Sequence, residues 1–592
     1  MVRQRPEPWP AHHPHRDPQA VSAVVRAAAG AVFAGGSRPG PPASKAMART
    51  PPAPSSARAQ GRGPRGGRSL VRGRFAPWSA RRPEGCRCAF GSATIGESGA
   101  RRGECEEAAM GLLDGAEWAG RLFTGEWVPS EARPVVEPAT GERLGEVGVA
   151  GVGEVARAGD VAAGAGRAWA GLGGFERAAV LRRAAALFEE HSDEIAGWVV
   201  REAGSTRFKA GVEVSAAVAE CLEAAALATA PHGELLHSPA PRLSVRRRVP
   251  SGVVSVISPF NFPLVLAIRS VAPALALGNA VLLKPDPRTA VSGGVVLARV
   301  LQEAGLPEGV LHVLPGGREV GEAVVDHPAV RVVSFTGSTA AGREVGARAA
   351  RALTRSVLEL GGNSALVVLA DADPAQAAAC GAFGSFVHAG QVCMAVGRHL
   401  VHESRYDEYV ELLAGRAEGL RVGDGHRDEV ELGPLIDARQ ADRVADLVSR
   451  SVASGARVVA GGGRDGLFHR PTVLAGCADS TPAYREEVFG PVACVRPFRD
   501  VAEAVRLAAD SEHGLSLGVV TGDVAAGLAL ADLVPSGAVH VNDQTFNDDA
   551  NAPFGGVGAS GFGRVGGVAA NSEAFTETQW VTARRAVPGF PF

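Results

Sequence analysis

Hydrophobic positions along the 592-residue chain follow two periods. Between residues 175 and 230, Val180, Leu181, Ala184, Leu187 and Phe188 recur three and four apart among Glu and Arg, which predicts amphipathic helices. From residue 252 the pattern changes to short apolar runs, GVVSVIS, AVLLKP, VLHVL, VRVVSFTG and SVLELGG, with helical stretches between them starting at Leu264, Ser292, Arg318 and Ala340. Strand and helix alternating at this spacing predict a parallel sheet covered by helices on both faces. Residues 363–545 repeat the theme with SALVVL, HLVHE, ACVRPF, LGVVTG and GAVHVND among helices that start at Ala375, Arg405, Asp437, Val501 and Val524. A second α/β domain is expected there, with no repeat of fixed period. PRLSVRRRVP (241–250) and AFTETQWVTAR (574–584) alternate like strands outside both runs, as pieces that reach a neighbouring subunit often do.

Residues 1–109 show neither period. They are rich in Arg, Pro, Gly, Ser and Ala, so we expect a disordered extension that cannot bury a core. Their Arg-rich, acid-poor composition also suits a transit-like presequence, but the apolar run near VSAVVRAAAGAVFAGG is short and interrupted by Arg26. The reading we favour is upstream sequence outside the natural protein, with the true start at Met110.

Charge supports that division. The net charge is −2, yet residues 1–109 hold 18 basic and 7 acidic residues, leaving 43 basic against 56 acidic in the body. A mildly acidic body argues against nucleic acid as the main partner. The longest apolar stretch, 264–283, contains Arg269, Pro273 and Asn279 and is poorly suited to a bilayer. Eight cysteines form neither a zinc-ligand pattern nor a disulfide framework, so we expect a cytoplasmic protein with free thiols and no metal. Only Lys45, Lys209 and Lys284 are lysine among 61 basic residues, which singles out LLKPD as a place where an ammonium is wanted.

Several of the strand-end pieces carry candidate chemistry. Ligands of such sheets bind beyond the carboxyl ends of strands, where SPFN, KPDP, LPGG, FTGS and ELGG all fall. Gly337 and Ser338 in FTGSTAAG open a helix whose free amides suit an anion, and Ser338 is equally suited to a simple N-cap. Glu359 in LELGG is a carboxylate in an apolar strand, either a base of raised pKa or a satisfied structural acid. Cys393 in FVHAGQVC is either a reactive thiol or an inert core residue. Asn261, between two prolines, suits an oxyanion donor or a turn. GVGEVA (151–156) matches a dinucleotide string, but no strand with an acidic end follows it, so a turn and helix start are expected.

Taken together, SPFNFP, LLKPD, FTGS, LELGG, FVHAGQVC, EEVFGPV and PFGG, in that order, resemble the aldehyde dehydrogenase superfamily over Met110–Phe592. MGLLDGAEWAGRLFTGEW, KPDPRTA and FTETQWVT look like its benzaldehyde dehydrogenase group. The resemblance implies an α/β fold with a Rossmann-type parallel-sheet NAD(P)-binding domain (110–235 and 251–361), an α/β catalytic domain (362–560) and small oligomerisation segments (236–250 and 561–592). It implies Cys393 as nucleophile, Glu359 as base and Asn261 as oxyanion donor. It places the cofactor against Lys284, Gly337, Ser338, Leu360, Glu487 and Phe489. Phe260 and Phe386 are candidate walls of an apolar substrate tunnel.

The cofactor expected is NAD, with NADP also admitted. Where many NAD-preferring members carry a glutamate three residues after the lysine, this chain has Pro287, followed by Arg288, so no carboxylate there repels a 2′-phosphate. The expected substrate is an aromatic, benzaldehyde-like aldehyde and the expected assembly a homodimer or homotetramer. Two rivals are a CoA-acylating enzyme, disfavoured by a base as ready for water as Glu359, and a non-catalytic protein of the same fold.

Overall fold

The computed structural model describes residues 111–590 and 592; the expectation for residues 1–109 lies outside the described residues. The first sheet has eight strands. Its centre is five parallel strands in the spatial order Leu311–Val313, Ala280–Lys284, Val253–Ile257, Val330–Thr336, Arg355–Glu359. The winding reverses between Val253–Ile257 and Val330–Thr336, and the crevice beyond their carboxyl ends is where an open parallel sheet takes a ligand. SPFN leaves one of these strands and FTGS the other. Antiparallel strands cover both edges: Arg121–Phe123 with Trp127–Pro129 on one side, Gly561–Phe562 on the other.

The second sheet, of seven strands, runs Arg457–Ala460, Thr472–Ala475, Val492–Phe498, Val396–His402, Ser364–Val368, Ser516–Val520, Ala538–Val541. All its pairs are parallel except the first. Its strands Ser364–Val368 and Ser516–Val520 are nearly continuous apolar runs, as expected of a sheet covered on both faces, whereas Val396–His402 carries the buried Arg398 and His399. The two strand-like segments outside the main sheets pair with each other: Leu243–Pro250 lies antiparallel to Thr576–Ala583 over its whole length, with Gly233–Leu235 on its other edge. Gly561–Phe562, by contrast, belongs to the first sheet.

Helices Gly174–Glu190, Ser192–Ala203 and Arg207–Leu227 form from the 175–230 pattern, with Val180, Leu181, Ala184 and Phe188 buried in the first core. Each such large apolar side chain contributes roughly 1.5–3 kcal/mol when fully buried. Gly151 starts the helix Val152–Gly171, its amide bonded to Glu154 at 2.9 Å, so GVGEVA is a helix start. The helix expected from Ser292 begins instead with a wide π turn, Val291–Val295. The buried Glu202 carboxylate accepts from the amides of Val291 and Ser292 and from the Ser292 hydroxyl, which satisfies that turn from outside. Among the described residues, no helix is long and apolar enough to cross a membrane.

Candidate active site

Between the two sheets lies a cavity of about 490 Å³. Asn261, Glu359, Cys393, Lys284, Gly337, Ser338, Leu360, Glu487, Phe489 and Phe260 all line it. Residues from six separate strand ends and loops therefore converge, although they span 230 positions between Phe260 and Phe489.

Asn261 reaches the wall through the turn before the helix Pro263–Ala276. No side chain at the N-cap serves that helix; the buried Glu213 accepts from the amides of Leu264 at 3.0 Å and Val265 at 3.2 Å. Glu213 is itself ion-paired to the buried Lys209, whose ammonium lies 4.4 Å from the Phe262 ring centroid. One Asn261 amide proton is donated to the Gln391 carbonyl at 3.0 Å, which couples the asparagine directly to the cysteine loop. Gln391 in turn accepts from the Ile436 amide at 2.9 Å.

The cysteine loop follows the helix Pro374–Phe386 and precedes the strand Val396–His402. It turns through positive φ at His388 (51°), Ala389 (51°) and Gly390 (68°), and a side chain at Gly390 would overlap the Gly490 carbonyl. Left-handed backbone at non-glycine residues persists only where surroundings enforce it, and such sites cluster at functional loops. Cys393 is half-buried. Burial pushes its thiol up to about 12, with Glu487, Glu359 and Asp548 acting in the same direction and Arg269 against them. The thiol therefore needs a base before it attacks.

Glu359 ends the strand Arg355–Glu359 and is 3 % exposed, with no hydrogen-bond partner for either carboxylate oxygen among the described residues. Burial holds its pKa well above the usual carboxylate range, with Arg564 and Arg269 opposing. A buried carboxyl without a hydrogen-bond partner, in the same cavity as a thiol, is a poor structural acid and suits a base.

Ser338 caps the helix Thr339–Arg351 by accepting from Ala341, the N-cap role considered for it. The Gly337 amide is spent on the Glu359 carbonyl at 3.0 Å, while the amides of Ser338, Thr339 and Ala340 make no hydrogen bond among the described residues. Lys284 ends its strand 9 % exposed and makes no ion pair among the described residues. Burial lowers its pKa, opposed first by Asp286. It also lines an adjoining cavity of about 360 Å³ shared with Ile257, Phe335 and Ala341. Free amides, a helix start and an unpaired ammonium fit a pyrophosphate and its ribose. Leu360 packs where a side chain at Gly342 would overlap it.

Glu487 accepts from the Gly362 amide at 3.0 Å, and burial raises it to about 7. Phe489, at φ 53°, meets Phe260 edge to face with centroids 5.8 Å apart. Two residues that sequence reasoning missed hold this loop: Gln440 donates to the Phe489 carbonyl at 2.7 Å, and Arg443 to the carbonyls of Val488 and Glu487 at 2.9 and 2.8 Å. Both lie on a polar helix face whose only signal was its period.

One expectation is corrected. Phe386 is 1 % exposed in the core of the second sheet and does not line the cavity, because it falls on the inward face of its helix. Arg288, which follows Pro287, binds Asp286 and Asp437 and lies 4.2 Å from the Phe260 ring centroid. The apolar surroundings of the thiol come instead from Phe262, Val265, Leu266, Val392, Met394, Leu515 and Phe554, with Phe546 at the margin. Rings continue outward from Phe262 to Phe546 (5.5 Å), Phe383 (6.3 Å) and the exposed Phe208 (6.3 Å).

A half-buried thiol, a buried carboxyl, a carboxamide and a helix start with open amides beside an ammonium share one crevice, an arrangement suited to a dehydrogenase that works through a covalent intermediate. The chain belongs to the aldehyde dehydrogenase family, whose model matches residues 127–581. It is 60 % identical over 486 residues to a vanillin dehydrogenase of Amycolatopsis sp., covering 82 % of this chain and 100 % of that one. It is 46 % identical to a benzaldehyde dehydrogenase [NAD(+)] of Pseudomonas putida over 480 residues, 80 % and 98 % of the two chains. Among solved structures, the salicylaldehyde dehydrogenase of Pseudomonas putida G7, complexed with salicylaldehyde, superposes with a TM-score of 0.78 at 33 % identity, covering 80 % and 99 %.

Proposed function

We propose that this protein oxidises aromatic aldehydes to carboxylic acids with NAD, NADP being admitted by the same cradle. The observation that carries the reading is the thiol of Cys393 packed against an apolar, ring-lined cluster while facing Glu359, Asn261 and the dinucleotide cradle in one cavity. The kinship with enzymes named for vanillin, benzaldehyde and salicylaldehyde supports the aromatic class.

Lys284, the amides beside Ser338 and the Glu487 carboxylate would hold the dinucleotide, which when bound supplies the hydride acceptor. Glu359 takes the thiol proton, and Cys393 Sγ bonds to the aldehyde carbon. The carbonyl oxygen, now an anion, accepts from Asn261 Nδ2 and the Cys393 amide, donors set in advance where charge develops. Loss of hydride from that carbon leaves a thioester on Cys393. Glu359 passes the first proton to solvent and then takes one from water; the hydroxide adds to the thioester, and Sγ departs as a thiolate that recovers the proton from Glu359 as the acid is released. The apolar cluster keeps other water from the thioester.

The antiparallel pair Leu243–Pro250 and Thr576–Ala583 leaves one edge of the latter free and Trp580 exposed, which supports a homodimer or homotetramer built on that edge. The free cysteines among the described residues fit a reducing compartment such as the cytoplasm.

Cys393→Ala is expected to abolish NAD reduction with benzaldehyde or vanillin while retaining NAD binding; substantial residual turnover refutes the assignment. An aldehyde panel with NAD and NADP fixes both preferences, and product analysis with and without CoA excludes or establishes acyl transfer to a thiol.

A further inference from the structure

Three buried polar side chains with no part in the chemistry above form a directed hydrogen-bond chain at the base of the cysteine loop. Ser385, in the last turn of the helix Pro374–Phe386, donates its hydroxyl proton to the Val396 carbonyl at 2.8 Å. Val396 opens the following strand, so this bond joins the two stems of the loop that carries Cys393. With its proton spent, Ser385 Oγ accepts from His399 Nε2 at 2.8 Å. His399 Nδ1 is then unprotonated and accepts from the Tyr409 hydroxyl at 2.7 Å. Donation runs one way, from Tyr409 to His399 to Ser385 to Val396, and fixes the imidazole tautomer. None of the three residues is more than 1 % exposed. Burial pushes the imidazole down to about 3, so it is neutral at any working pH.

The helix makes room for this chain. Gly381 stands one turn before Ser385, and a side chain there would overlap the Tyr409 hydroxyl and crowd His399. Within the loop, Gln391 is held by Asn261 and Ile436, and the carbonyl of Met394 by the Thr545 hydroxyl. Those bonds fix the middle of the loop; the Ser385 bond fixes its base beneath the strained His388–Gly390 turn.

We propose that Ser385, His399 and Tyr409 are positioning residues that hold Cys393 at its attack geometry, a role that rests on the reading of Cys393 as the nucleophile. They touch neither aldehyde nor dinucleotide. Their loss acts on kcat rather than on cofactor affinity.

The test compares Ser385→Ala, Tyr409→Phe and the double variant His399→Gln/Tyr409→Phe with wild type, in the full chain. Turnover is normalised to active sites titrated by the pre-steady-state burst. Because misplacement of a reacting atom by about 1 Å costs about a hundredfold, partial loosening is expected to lower kcat by about tenfold in the two single variants. KM for NAD is expected to stay within about twofold, since no cradle residue is touched. The double variant is expected to keep about half the wild-type kcat, because glutamine supplies an amide donor where Nε2 stood and no buried hydroxyl is orphaned. Wild-type kcat per active site in the single variants, whatever their melting temperature, overturns the positioning role and leaves only a structural one. If Ser385→Ala does not fold, Tyr409→Phe decides alone. Cys393→Ala is run in parallel: turnover that survives it refutes the nucleophile assignment itself, whereas its loss beside normal Ser385→Ala and Tyr409→Phe kinetics refutes only the positioning role.

Discussion

Gly361 and the carboxylate of Glu487 are in direct contact, and a methyl group at 361 would overlap both carboxylate oxygens. The neighbouring Gly362 amide donates to the same carboxylate. Two consecutive glycines thus let an acid carried by one sheet's loop lie against the strand end of the other. Gly361→Ala is expected to displace Glu487 and raise KM for NAD by about tenfold, since a hydrogen bond to a charged group is worth about 1.5–3 kcal/mol. Steady-state kinetics with varied NAD checks this, with melting temperature as the control for folding.

Glu359 sets the pH dependence. Its pKa lies well above the usual carboxylate range because it is buried, so the folded enzyme holds that proton at pH values where a free glutamate has lost it. Base catalysis needs the deprotonated form. Activity is therefore lost as pH falls through the raised pKa and gained as pH rises, and the thiol at about 12 pushes in the same direction. Glu359→Gln preserves shape and removes the base; kcat is expected to fall on the order of 10²- to 10⁴-fold. Because Glu359 serves both the thiol and the water, loss of the burst of reduced cofactor together with loss of steady turnover, seen by rapid mixing, is the expected signature.

How much of this could be read from sequence differs by kind of information. The parallel sheets were legible because strands buried on both faces must be apolar throughout, and the glycine-rich pieces between them mark strand ends. Cys393, Glu359 and Asn261 were legible as a set through their motifs, not individually. Phe386 was misread because one phenylalanine before a cysteine carries no information about which face of its helix turns inward. Lys209 was counted as one of three lysines, but its pairing with Glu213 was not seen, although the two are four apart, since burial of that helix face depends on the packing of a distant segment. Gln440 and Arg443 were invisible for the same reason: their partners are carbonyls of a loop some 45 residues away.

The Lys209–Glu213 pair stabilises the turn that presents Asn261. Glu213→Ala removes the acceptor for two helix amides and leaves a buried ammonium without its partner, which costs about 3–5 kcal/mol. The expected result in chemical denaturation is a loss of that size, or insoluble protein. Lys209→Met combined with Glu213→Gln is expected to recover a substantial part, since it removes both buried charges and keeps one polar group for the amides.

Substrate preference separates the two phenylalanines. Phe546 stands between Phe262 at the thiol and Phe383 towards the surface, whereas Phe386 faces the second core. An aromatic contact contributes about 0.5–1.5 kcal/mol beyond its buried area, so Phe546→Ala is expected to lower kcat/KM for benzaldehyde by about tenfold. Acetaldehyde, which cannot stack, is expected to lose much less. Phe386→Leu is expected to destabilise the fold by about 1–3 kcal/mol, because the smaller side chain leaves a gap in the second core, while leaving the ratio of the two substrates unchanged. Measuring both ratios and both unfolding curves assigns the rings: a changed ratio in Phe386→Leu, or an unchanged one in Phe546→Ala, would place the substrate path elsewhere than along Phe262, Phe546 and Phe383.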